Sequence, residues 1–168
     1  MKYDRDFLIS VHNDIKANME DIHLKQHHNP GNLISKPKNG SDFFTLRYWR
    51  SNDRERLTDY LFNQSCLELL VCNNRLFIGI WFGENNKEFS KRKRFAHDII
   101  EKSKDYPGYI WADENGTPAP TDEKLIQWLC ESNHETTFRK ELTAYSRDEV
   151  LTEMKHLSEY LDILLKKE

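Results

Sequence analysis

The stretch CLELLVCNNRLFIGIWF, residues 66–82, decides the fold because it predicts two β-strands joined by a tight turn. Both halves, Cys66–Cys72 and Arg75–Phe82, are rich in the branched and aromatic residues that favour strands. Asn73 and Asn74 lie between them, and asparagine tolerates the positive φ angles of a primed two-residue turn. A β-hairpin is therefore expected at the centre of the chain. Gly79 interrupts its second strand, which indicates a bulge or a close backbone approach.

Helices are predicted on both sides of this hairpin. Apolar residues at three- and four-residue steps predict a first helix from about Asp4 to about Ile22. A basic helix is expected over 87–104, and Thr121 can cap a third helix that runs to about residue 131. Ser146-Arg-Asp-Glu is a capping box that begins a last, strongly amphipathic helix. Each of these helices can bury an apolar face on a sheet.

The remaining segments predict further strands and loops. Strands are expected at 43–50, 109–111 and 138–145. The His-, Asn-, Pro- and Gly-rich stretch 23–41 predicts a long, mobile loop, and 54–63 is ambiguous, with a short helix favoured. Neighbouring strands in the middle and helices at the ends predict a single α+β domain over 1–168 with a mainly antiparallel sheet.

Composition narrows the classes of function. The chain of 168 residues is 38 % apolar and 32 % charged, and its formal net charge of −3 provides no global positive field for a polyanion. Its three cysteines include no Cys-x-x-Cys pair, which is typical of free thiols in a reducing compartment. The first residues lack the apolar run of a signal peptide, and no stretch is apolar enough to span a bilayer. We therefore expect a cytoplasmic protein that does not enter membranes.

Catalytic motifs are absent from the sequence. There is no Gly-x-Ser-x-Gly and no glycine-rich phosphate loop. A metal-dependent nuclease would need a lysine two residues after Glu68 on its strand, but Leu70 stands there. The His134-Glu-Thr sequence is half of a paired phosphoesterase motif and has no second copy. The sequence therefore favours a protein without catalytic residues and without a cofactor.

Aromatic side chains after the hairpin and after the basic helix suggest an interface. Trp81 and Phe82 end the second hairpin strand, and Tyr109 and Trp111 follow the basic helix. Tryptophan and tyrosine are common anchors in protein–protein interfaces. Most large aromatics are nevertheless needed inside a domain of this size. The favoured prediction is a non-enzymatic protein-binding module, of the kind that serves as a bacterial or phage accessory, inhibitor or immunity protein.

A nucleic-acid-binding module is the first alternative. Its candidate residues combine positive charge with aromatic rings for stacking: Arg47, Trp49, Arg50, Lys91, Arg92, Lys93 and Arg94. Four consecutive basic residues surround a helix, however, so only some can face one ligand. Because the net charge is acidic, a solvated helix surface is the favoured interpretation of the same run.

A metal-dependent hydrolase is the second alternative. His23 and His27 are four residues apart, which would place both imidazoles on one face of a helix. Asp21 is a nearby carboxylate, but no His-Glu-x-x-His motif is present. An exposed loop is the simpler interpretation of these histidines.

One part of the chain resembles small domains that are found beside restriction-type enzymes. The resemblance rests on Leu67-Glu-Leu-Leu, on Ile99-Ile-Glu-Lys and on Tyr109-Ile-Trp, within about a quarter of the chain. In those domains a strand pair is followed by a helix and by a short strand that ends in tryptophan. The resemblance links the nucleic-acid alternative to restriction or defence systems and assigns no functional residue.

Overall fold

A computed structural model describes residues 3, 5–24, 43–51, 66–82, 89–113, 115–130, 135–143 and 146–165. In chain order its elements are α1 (Arg5–Asn18), β1 (Ile22–Leu24), β2 (Phe43–Arg50), β3 (Cys66–Cys72), β4 (Arg75–Phe82), α2 (Phe89–Ser103), β5 (Ile110–Asp113), α3 (Asp122–Cys130), β6 (Thr136–Leu142) and α4 (Arg147–Leu165). The predicted fold, a single-domain α+β protein with an antiparallel sheet, is confirmed.

The strands form one six-stranded sheet in the order β1-β2-β3-β4-β6-β5, and every neighbouring pair is antiparallel. The predicted hairpin is its centre, with φ angles of 51° at Asn73 and 56° at Asn74. Gly79 marks a close backbone approach, since a Cβ atom there would lie 2.1 Å from the Phe138 carbonyl oxygen. Strand β6 can therefore pair with β4 only because this position has no side chain.

The core lies between the helices and one face of the sheet. Alternate strand residues such as Leu46, Leu69, Ile78 and Phe138 are buried there against all four described helices. Tyr160 of α4 is fully buried in this layer, and its hydroxyl donates a hydrogen bond to the Ile99 carbonyl of α2 at 2.6 Å. This contact helps to fix α2 against α4.

The opposite face of the sheet is also buried at Cys66, Glu68, Leu70, Phe77 and Trp81. It contains an ion pair, in which Arg47 Nε lies 2.7 Å from Glu68 Oε2. Burial raises the pKa of Glu68, and the Arg47 guanidinium opposes this by stabilising the carboxylate. None of the three cysteines, all of which lie in the described part of the chain, forms a disulfide bond.

The region after α1 differs from the sequence prediction. The helix ends at Asn18 rather than near Ile22, and Ile22 pairs instead with Arg50 in β1. The Asp21 carbonyl accepts a hydrogen bond from the Ser51 amide at 2.7 Å, which continues the pairing of β1 with β2 by one residue on each side. Residues 22–24 are thus a strand, while 25–42 and the predicted helix at 54–63 lie outside the described residues. None of the described helices has the length and apolar character needed to cross a bilayer.

Candidate functional site

A groove of about 430 Å³ opens where the turn after α2, strand β6 and helix α4 meet. We call it the α4 groove. Its lining combines two tyrosines and a proline with charged side chains: Asp105, Tyr106, Pro107, Tyr109, Lys140, Glu153, His156 and Glu159. Its residues come from three segments that are distant in sequence, so the fold alone brings them together.

The turn after α2 shapes one wall of the groove. The Tyr106 amide donates to the Ser103 carbonyl at 3.0 Å, which forms a tight turn directly after α2. Pro107 cannot continue the helix because it has no amide hydrogen. Gly108 then adopts a φ of +88°, which glycine permits without strain, and the chain enters β5.

The floor of the groove is a hydrogen-bonded set of Tyr109, Lys140 and Glu153. The Tyr109 hydroxyl donates to Glu153 Oε2 at 2.6 Å, and Lys140 Nζ donates to Glu153 Oε1 at 2.9 Å. The Tyr109 ring stacks on Phe138 with a centroid distance of 4.9 Å. Each carboxylate oxygen therefore accepts a hydrogen bond, and the Tyr109 ring packs against the core.

The protonation states of the floor follow from these contacts. Burial raises the pKa of Glu153, but the hydrogen bonds from Tyr109 and Lys140 together outweigh burial, so its pKa is lowered. Burial, followed by the hydrogen bond to Glu153, raises the pKa of the Tyr109 hydroxyl. At neutral pH the floor thus presents a carboxylate at Glu153 and a protonated phenol at Tyr109.

The walls are more polar and more exposed than the floor. Tyr106 is half-buried and packs against Tyr160, with 5.0 Å between ring centroids. Burial, then the carboxylates of Glu159 and Asp105, raise the pKa of the Tyr106 hydroxyl, so both carboxylates act on its environment. His156 Nδ1 lies 3.4 Å from Glu153 Oε2. Three carboxylates therefore line the groove against one ammonium and one imidazole.

The three aromatic residues predicted from the sequence to form an interface, Trp81, Tyr109 and Trp111, do not form one surface. Tyr109 lies in the α4 groove. Trp111 is half-buried on the helix-facing side of the sheet, and its indole nitrogen donates to Ser103 Oγ at 3.1 Å. Trp81 lies on the opposite face, is 4 % exposed and has the Arg47 guanidinium 3.9 Å from its ring. Of the three, the α4 groove includes only Tyr109, and the binding role of all three stays a prediction.

The nucleic-acid candidates are also separated. Arg47 is paired with Glu68, and Arg50, on the other face of β2, donates to the Ser158 carbonyl at 2.5 Å and to Asp162 at 2.8 Å. Both guanidinium groups are therefore engaged inside the protein. Trp49 is half-buried and Lys93 is exposed on α2. Lys91, Arg92 and Arg94 belong to α2, but their side chains lie outside the described part of the structure.

The metal candidates are described only in part. His23 is exposed in β1, and its Nε2 lies 2.7 Å from Ser51 Oγ. His27 lies outside the described residues. Within the described ranges, no three His, Cys, Asp or Glu side chains are placed to share a metal ion.

Sequence reasoning found Tyr109 but missed most of the α4 groove. Glu153, His156 and Glu159 recur every three residues along α4, and this spacing puts polar side chains on one helix face. Lys140 is a charged residue on the helix-facing side of β6, opposite Ile78. Both signals are present in the sequence, but each is also typical of a solvated surface, so neither identifies a site without the fold.

In comparisons with known proteins, no protein-family model, curated protein or solved structure matches this chain.

Proposed function

We propose that this protein is a non-enzymatic binding module whose α4 groove receives part of a protein partner. One observation carries the proposal: Tyr106 and Tyr109 line a concave groove and are surrounded by exposed charged side chains. An aromatic centre with a polar, solvent-accessible rim is the usual anatomy of a protein interface. Tyrosine is also among the residues that contribute most to binding energy at such sites.

The state of the floor supports binding rather than catalysis. A general base works best when its pKa is close to the working pH, and a nucleophile needs an activating neighbour. The pKa of Glu153 is lowered although burial raises it, because the hydrogen bonds from Tyr109 and Lys140 outweigh burial, so this carboxylate is a weak base; Tyr109 keeps its proton and donates a hydrogen bond to Glu153. The same hydrogen bonds keep these side chains in one arrangement before a partner arrives, which reduces the entropy lost on binding.

A protein partner is favoured over a small-molecule ligand because the side chains that form the walls of the groove are exposed. Asp105, His156 and Glu159 are exposed to solvent rather than enclosed around a cavity. Small-molecule sites bury most of their ligand and are lined mainly by apolar side chains. An accessory, inhibitor or immunity protein acts through such an open contact, and this is the biological role we propose. The nucleic-acid alternative stays a prediction, since Arg47 and Arg50 are bound to internal groups.

A position-specific crosslink tests the proposal. A photo-crosslinking amino acid at position 156, in the groove, is compared with the same amino acid at position 155, which is exposed on α4 but does not line the groove. In cells of the native host, we expect position 156 to capture one protein that survives nuclease treatment. Position 155 should capture it much less.

Three outcomes would contradict the proposal. Equal yield from both positions would mean that the partner does not occupy the groove. Loss of the crosslinked species with nuclease would favour the nucleic-acid alternative. Capture of no protein from position 156, with the protein folded and expressed, would remove the groove as a protein-binding site.

A further inference from the structure

We propose that the partner enters the α4 groove with an arginine side chain from a basic segment, an inference that rests on the proposed binding function. The α4 groove offers the three features that a guanidinium group prefers. They are surplus negative charge, aromatic rings held in place, and carboxylate oxygens on more than one side.

The charge of the groove favours a cation. The Lys140 ammonium is already bonded to Glu153, which leaves Asp105 and Glu159 as additional carboxylates. Neither of these two forms an ion pair within the described part of the chain. A basic partner would supply the missing countercharge, while an anion would face both carboxylates. Complementary charge of this kind selects partners more than it adds affinity.

The aromatic rings favour a guanidinium group over an ammonium group. Arginine is planar and weakly hydrated, so it stacks on aromatic faces and bonds to two carboxylates at once. This chain already places guanidinium groups beside aromatic rings, with Arg47 3.9 Å from the Trp81 ring and Arg139 4.3 Å from the Phe77 ring. Tyr106, braced by Tyr160, provides a comparable ring beside Asp105 and Glu159.

Solution NMR on the purified protein tests this chemistry without an identified partner. The probes are three capped tripeptides, Gly-Arg-Gly, Gly-Lys-Gly and Gly-citrulline-Gly, where citrulline keeps the shape of arginine but carries no charge. We expect the arginine peptide to shift amides in 105–109 and 153–159. The lysine peptide should bind more weakly, and the citrulline peptide should cause no comparable shifts.

Charge reversal provides the matched variants. Glu159→Lys should weaken binding of the arginine peptide about tenfold, because charge reversal removes one weak attraction and adds a repulsion of similar size. Asp98→Lys changes the net charge equally at an exposed position of α2 that does not line the groove, and it should leave binding within about twofold. Asp105→Asn is a milder second variant and should weaken binding as well.

The outcomes separate this inference from the function on which it rests. Shifts that are scattered over the surface, equal for citrulline, or equally reduced by Asp98→Lys would overturn the arginine assignment. If the crosslinker at position 156 captures a protein in cells but arginine peptides do not bind the groove, the binding function stands and the arginine inference fails. If arginine binds in the groove but no protein is captured, the proposed function fails.

Discussion

His12 and Tyr48 join helix α1 to strand β2 through a single hydrogen bond. Nδ1 of His12 lies 2.9 Å from the Tyr48 hydroxyl, and their rings are stacked at 5.7 Å. Burial, followed by the positive charge of Lys16, lowers the pKa of His12. Burial also raises the pKa of Tyr48, so the phenol keeps its proton. A neutral imidazole next to a neutral phenol is therefore the stable pair.

The lowered pKa of His12 predicts a pH dependence of stability. Because the unfolded chain binds a proton at this histidine more readily than the folded chain does, the free energy of unfolding should decrease as pH falls below about 6.5. Chemical denaturation of the wild type at pH 7.5 and 5.0 is compared with that of His12→Gln, which can still hydrogen-bond Tyr48 but does not titrate. The variant should lose less stability over this range. An identical loss in both proteins would show that His12 does not contribute.

Individual residues differ in how much the sequence reveals about them. The roles of Asn73, Asn74 and Gly79 were predictable because they depend on local backbone geometry. The two asparagines adopt positive φ angles, and the glycine allows a close approach of the neighbouring strand. The roles of Lys140 and Glu153 were not predictable, because they depend on a contact between a strand and a helix that the sequence does not specify. The candidate site was therefore predictable only where aromatic composition indicated it, at Tyr109.

At the level of elements, helix α4 begins with the N-cap that its sequence predicts. The Glu149 amide donates to Ser146 Oγ at 3.3 Å, and the Val150 amide donates to the Ser146 carbonyl at 3.3 Å. The Glu149 amide has no carbonyl four residues back within the helix, and it shares its hydrogen between this hydroxyl and the Ser146 carbonyl, which lies at 3.1 Å. This cap fixes the start of the helix that carries Glu153 and His156.

Replacing the cap should cost measurable stability. Ser146→Ala is expected to lower the free energy of unfolding by about 1 kcal/mol, the usual value for an N-cap serine. Ser158→Ala is the control on the same helix, because its buried Oγ has no hydrogen-bond partner in the described structure. That change should be neutral or slightly stabilising. Equal losses in urea denaturation of both variants would show that the Ser146 hydroxyl does not act as a cap.

The elements themselves were largely predictable, but their pairing was not. Strand β2 and both hairpin strands have the predicted bounds, because aromatic and branched residues are dense there and turn residues flank them. Strand β1 was missed because it has three residues and Ile22 continues the apolar stripe of α1. The position of β6 between β4 and β5 depends on contacts between distant segments, and no local pattern indicates it.

For the whole molecule, the order of strands in the sheet predicts which backbone amides exchange with solvent first and which exchange last. Strands β3 and β4 lie in the middle of the described sheet with a paired neighbour on each side, while β1 lies at one end and pairs with β2. Native-state hydrogen exchange should therefore be slowest in β3 and β4, where amides open only with global unfolding. Amides of β1 should exchange first, after correction for intrinsic rates. Equal protection of β1 and β4 would mean that the sheet opens as a single unit.

The far edge of the sheet limits how this protein can assemble with others. The chain after β5 folds back on that strand, so the Asp113 amide donates to Thr117 and the Trp111 carbonyl accepts from Ala119, with a bridge between Ala112 and Pro118. These backbone groups would otherwise be a template for an incoming strand. Because the chain occupies them itself, and Pro118 offers no amide hydrogen, growth of the sheet into a fibre or a strand-exchanged polymer is blocked on this side.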